Sequence, residues 1–120
     1  MNFRIGTDIE KNSRFKLFKD SSFLKDIFSK KEIEYAFKND SPEITLCGLF
    51  CAKEATKKTL TENGIGMNDI EIIHNVHGKP ILKFKNNSID NSHFDVSISH
   101  SKTYSTASVI RRRKDERQHE

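Results

Sequence analysis

The sequence predicts an α+β fold, with short antiparallel strands packed on one long helix and several short helices. Three observations carry this expectation. A single long helical pattern runs from about Pro42 to about Thr61. The segment Phe3 to Ile9 alternates strictly, as a strand does. After the helix, Ile70 to Val76, Ile81 to Lys85, Phe94 to Ser99 and Tyr104 to Ile110 follow one another as strand-like runs separated by turns.

Taken in order, Phe3, Ile5, Thr7 and Ile9 fall on one side of the first strand, and Arg4, Gly6 and Asp8 on the other. Gly6 beside Asp8 leaves room for a neighbour or ligand to approach the carboxylate. Asp8 also suits a turn or a helix N-cap. Glu10 to Phe28 is polar with scattered apolar points, and reads as one or two short helices lying on the sheet. Ser29-x-x-Glu32 is a capping-box pattern ahead of Ile33, Ala36 and Phe37, which predicts another short helix. Lys38 to Ser41 is a loop. Ser41 suits an N-cap, Pro42 the first helical position and Glu43 the first turn.

Within the central helix, Cys47, Cys51, Glu54 and Lys58 fall on one stripe at 100° per residue. That stripe begins as small apolar thiols and ends as charge, as on a helix running from a packed interior to the lip of a site. Glu54 and Lys58 also satisfy the ordinary surface-pair spacing, worth about 0.2–0.5 kcal/mol. Asn63-Gly64-Ile65-Gly66 stops the helix. Both glycines can take φ > 0 and bring backbone N–H groups close to a phosphate, although a helix stop and turn need the same residues. His77-Gly78-Lys79-Pro80 turns between two strands. His100 stands at the mouth of the last turn. His74 and His77 lie three apart in an extended segment, on opposite faces, and make poor metal partners.

The 120 residues fit one domain, placed at residues 1–110, followed by a charged tail at 111–120. Net charge is +4, and the last ten residues carry five basic and three acidic side chains. The body is therefore mildly basic, suited to an acidic protein or to phosphates and not to nucleic acid. Two cysteines four apart on a helix fit neither a disulfide nor a four-ligand zinc site. Free thiols in a reducing compartment are the simpler account, and a cytoplasmic location is expected. No apolar run reaches membrane length and no signal-peptide pattern opens the chain.

Gly6-x-Asp8, then Phe50-x-x-Lys53-Glu54-Ala55-x-x-Lys58, resembles the phosphopantetheinyl transferases, and within them the small holo-[acyl-carrier-protein] synthase type. Arg14, Gly64-Ile65-Gly66, Asp69 to Ile72, Gly78-Lys79-Pro80 and Val96 to His100 match in the same order, over about residues 3 to 110. The resemblance implies the phosphopantetheinyl transferase fold, a homotrimer with sites between subunits, and Mg2+-dependent transfer of the phosphopantetheine arm of coenzyme A. The acceptor would be a serine of apo acyl carrier protein, and adenosine 3′,5′-bisphosphate would leave. It places Asp8 and Glu54 on the magnesium, in keeping with that ion's use of one or two carboxylates. Lys58 would meet a phosphate or the leaving group. Glu54 itself, or a water acidified by the magnesium, would take the serine proton, and the sequence does not choose.

By the same resemblance, Arg14 faces the carrier, and a neighbouring subunit's His100 and Gly78-Lys79-Pro80 turn contact the nucleotide end of coenzyme A. Two positions depart from the family pattern. Leu49 stands where an arginine is common, and Asp26 where a basic residue is common. Both bear on which carrier is served. A polyketide or peptide synthase carrier is an alternative acceptor. A small basic nucleic-acid-binding module is a reading from another class, opposed by the lack of an aromatic-rich strand motif.

Overall fold

The computed structural model describes residues 2–113. Five strands, three α-helices and three short 3-10 turns alternate as β1 (Phe3–Lys11), α1 (Ser22–Ile27), α2 (Lys30–Phe37), α3 (Pro42–Lys57), β2 (Ile70–His74), β3 (Pro80–Phe84), β4 (Phe94–His100) and β5 (Tyr104–Arg112). The 3-10 turns cover Asn12–Phe15, Met67–Asp69 and Asn91–His93. β1, β5 and β4 form an antiparallel sheet in that order, and β2 and β3 form a separate hairpin. The expected α+β architecture is therefore present, with the strands divided between two sheets.

Helix α3 lies on the three-stranded sheet. Leu46, Leu49, Ala52 and Ala55 are buried along it, against Val96, Ala107 and Val109 of the sheet. Phe15, Leu24, Phe28 and Ile33 close the other side of the helix. The Ser29–Glu32 capping box forms as expected, with both reciprocal bonds made. Ser41 occupies the N-cap of α3, but its side chain makes no capping bond there. α3 ends at Lys57 with Lys58 as C-cap, about a turn earlier than the pattern suggested. β5 continues through Arg112, two residues beyond its expected end, so the tail's first residues are strand. The rest of that tail, 114–120, lies outside the described residues.

Strand β1 inverts the usual sidedness. Phe3, Ile5 and Ile9 do share a face, but that face is exposed. The face carrying Gly6, Asp8 and Glu10 is turned inward on α3. The cause is Gly6: a Cβ there would sit 1.9 Å from the Ala55 carbonyl oxygen. Only a glycine lets the strand lie directly on the helix backbone. The neighbour admitted by Gly6 is thus the central helix.

Candidate active site

The contact between Gly6 and Ala55 fixes where Asp8 lies. Two residues further along the same face, Asp8 is placed beside the end of α3 that carries Glu54 and Lys58. The Lys58 ammonium is 3.6 Å from Asp8 Oδ1 and donates to the Thr7 carbonyl at 2.6 Å. Three donors are available to it, and its side chain is half exposed, so it can still reach outward. Asp8 is held from the other side by Thr106, whose hydroxyl donates to the Asp8 carbonyl at 2.8 Å.

Asp8 Oδ2 is buried and has no hydrogen-bond partner among the described residues. An unpaired buried carboxylate oxygen is expensive, and the described residues supply no partner for this one. Glu54 is half-buried one turn before Lys58, and its side chain has no partner among the described residues either. Asp8 and Lys58 therefore meet at the end of α3, and Glu54 lies one turn before Lys58 on the same helix. Beneath them Cys47 and Cys51 are fully buried. A hydrogen bond with Cys47 and then burial, the two largest causes, push the Cys51 thiol upward, so it is inert packing under the site.

Lys53, adjacent to Glu54, does something different from what the motif suggested. It is fully buried and donates to Glu32 Oε1 at 2.7 Å, the Ile27 carbonyl at 2.8 Å and the Met67 carbonyl at 3.2 Å. All three of its donors are used inside the fold. Glu32 in turn accepts from the Ile72 amide at 2.8 Å. Desolvation lowers the Lys53 pKa against the opposing pull of Glu32. This couple ties α1, α2, α3 and β2 together behind Glu54. Sequence reading found Glu32 as a helix cap only, since no periodicity shows which partner a capping glutamate reaches.

The other candidates surround this centre. Arg14 is exposed, bonds Glu10 at 2.9 Å and lies 4.9 Å over the Phe50 ring. Gly64 has φ +77 and open space around it. Gly66 corrects the expectation for the pair. It is extended at φ −90, and its amide donates to Asp69 at 2.8 Å, because Asp69 caps the following turn. Gly78, at φ +79, turns the β2–β3 hairpin, with the amides of His77 and Lys79 both held by the Asn75 side chain. Lys79 lies 3.9 Å from Asp95, and Pro80 opens β3.

His100 is exposed at the end of β4. Asp8 pairs with Ala107 and that residue with Ile98, so His100 is two strands and two register steps from Asp8. That is about 12 Å from strand spacing alone, and one chain does not bring the two together. Among the described residues no group of three or more histidine, cysteine, aspartate or glutamate side chains is placed to hold a metal. His77 is exposed in the hairpin, and His74 stacks on Tyr35 at 4.2 Å.

Residues 4–109 match the 4'-phosphopantetheinyl transferase superfamily. The chain is 37% identical over 115 residues to a holo-[acyl-carrier-protein] synthase of Clostridium botulinum (strain Eklund 17B / Type B), covering 88% of this chain and 94% of that one. The chain belongs to the holo-[acyl-carrier-protein] synthase family. A Caldanaerobacter subterraneus synthase is 39% identical over 120 residues, covering 92% and 94%. Among solved structures, the Bacillus anthracis synthase in complex with CoA (3',5'-ADP) superposes with a TM-score of 0.73 at 30% identity, covering 89% of this chain and 93% of that one. The Helicobacter pylori synthase in complex with coenzyme A gives 0.74 at 26%, covering 88% and 97%. Within this chain, the two departures from the family pattern differ in setting. Leu49 is buried in the core, and Asp26 is exposed on α1. No helix among the described residues is long and apolar enough to cross a membrane.

Proposed function

We propose that this chain transfers the 4'-phosphopantetheine arm of coenzyme A to a serine of apo acyl carrier protein, in fatty acid biosynthesis and in the cytoplasm. The observation that carries the reading is the unpartnered Asp8 oxygen beside Lys58 at the lip of α3. Membership of the family supplies the reaction class.

The donor set fits a magnesium ion: hard carboxylate oxygens, no more than two, with one oxygen buried and vacant. Asp8 and Glu54 would hold it. When bound, the ion supplies positive charge to the pyrophosphate oxygens at which negative charge grows. Lys58 adds a second positive charge from the helix end, and the Thr7 carbonyl fixes its direction. Its remaining donor is free for a phosphate oxygen on the leaving side. Glu54, half-buried and without a protein partner, is placed to accept the serine proton. Gly64 gives a bare backbone turn beyond Lys58, along which a phosphate can approach.

The site is completed by a second copy. The exposed outer face of the sheet carries Phe3, Ile5, Ile9, Tyr104 and Ile110, an apolar face suited to association with copies of the chain. In a homotrimer, a neighbour's His100 and its Lys79–Pro80 turn would meet the nucleotide end of coenzyme A. Arg14, backed by Phe50, presents a cation to an acidic carrier. The test is mass spectrometry of an apo acyl carrier protein incubated with this protein, coenzyme A and magnesium. A gain equal to the phosphopantetheine arm is expected. An unchanged carrier mass would overturn the proposal.

A further inference from the structure

A second concentration of charge lies at the opposite end of β1. Arg4, Arg111, Arg112 and Arg113 line a cavity of about 520 Å³, together with His93, Ser88, Thr61 and Asp90. Arg4 and Arg111 are direct cross-strand partners. Like charges directly opposite destabilise a strand pair, so the arrangement calls for counter-charge. The protein supplies part of it. Glu62 grips Arg111 in a two-bonded fork, at 2.8 and 2.6 Å. Asp95 and the Ser92 carbonyl hold Arg112. His93 lies 3.6 Å from Asp90. The side chains of Arg4 and Arg113 are exposed and have no acceptor among the described residues.

We infer that this cavity binds a small molecule through a phosphate monoester, at a site separate from the catalytic lip. Two guanidinium groups without a carboxylate match the double negative charge of a phosphate monoester at neutral pH. Their forked donors match its oxygens, and the hydroxyl of Thr61 adds a donor at the wall. Arg111 and Arg112, already fixed by carboxylates, shape the cavity. Its volume lies in the range of small-molecule sites and exceeds what a bare phosphate needs. Arg4 is four residues from Asp8 along β1, about 13 Å away, so occupation of one site does not fill the other.

The experiment is calorimetric titration of the full chain with glycerol 3-phosphate. It is done in the Lys58→Ala background, which weakens phosphate binding at the catalytic lip. One saturable site per chain is expected. It should weaken at least tenfold in Arg4→Ser/Arg113→Ser, with the melting temperature unchanged, because neither side chain holds another part of the fold. The single variants Arg4→Ser and Arg113→Ser serve if the double variant does not fold, each with a smaller loss. Dimethyl phosphate, a singly charged diester, should bind at least tenfold more weakly. No saturable binding would overturn the inference. So would binding indifferent to the arginine substitutions, or equal binding of the diester.

Discussion

Gly6→Ala is a one-methyl change that should disable the site from behind. The added Cβ would stand 1.9 Å from the Ala55 carbonyl oxygen, where real contacts begin near 3.0 Å. The obstacle is helix backbone, which cannot rotate away. Strand β1 must therefore retreat from α3 by 1.1 Å or more, taking Asp8 with it. Lys58 is anchored to Thr7 of that same strand, so it follows or lets go, while Glu54 stays with the helix. A displacement of about 1 Å in a positioned group costs about 100-fold in rate. Overpacking of this kind destabilises by about 1–3 kcal/mol. The assay is the initial rate of carrier loading against magnesium concentration, with thermal melting in parallel. A folded Gly6→Ala protein should turn over about 100-fold more slowly. Wild-type rate and magnesium dependence would refute the claim that this contact sets the spacing of the carboxylates.

Lys53→Met should destabilise by about 3–5 kcal/mol, because Glu32 is left buried and charged, and the melting temperature should fall by about 10–20 °C. Adding Glu32→Gln should restore part of that loss in calorimetry. Arg111 and its fork hold the Glu62 carboxyl down to about 2, against an ordinary value of 4.5. That pair therefore stabilises the fold above about pH 4.5 and loses its effect as pH falls through 2. Glu62→Gln should be less stable than wild type at pH 7 by about 1–3 kcal/mol, with the gap closing below pH 4.5 in denaturant titrations. Arg14→Glu should raise the apparent KM for the carrier much more than that for coenzyme A, and the carrier's association rate should fall with salt. An equal change in both KM values would assign Arg14 to structure, through its seat on Phe50.

The parts of this fold that were legible in the sequence are those governed by local spacing. The stripe from Cys47 to Lys58 runs from core to lip because helical geometry leaves no other choice. Ser29 and Glu32 signal a helix start because a capping box is a three-residue event. What spacing cannot show is which element a face meets. The apolar residues of β1 alternate as a core face would, yet Gly6 brings the opposite face onto α3 and leaves Phe3, Ile5 and Ile9 outside. Lys53 sits in a run of charged motif residues, yet it points into the protein, because its acceptors come from three other elements. Gly66 was paired with Gly64 by pattern alone, and Asp69 claims its amide. Asp8 and Lys58 stand fifty residues apart in sequence. Their meeting was legible only through family resemblance.

We propose that Asp8 and Glu54 together form a metal site at the lip of α3. Its most direct measurement is manganese binding followed by electron paramagnetic resonance, with coenzyme A present, in wild type, Asp8→Asn and Glu54→Gln. Each substitution removes a charge from a partly solvated position and no core volume, so the folds should melt as wild type does. Wild type should bind one manganese per site, competed by magnesium. Each variant should lose at least tenfold in affinity, and carrier loading should fall with it. A variant that kept both wild-type manganese affinity and carrier loading would remove that residue from the site and contradict a two-carboxylate metal centre.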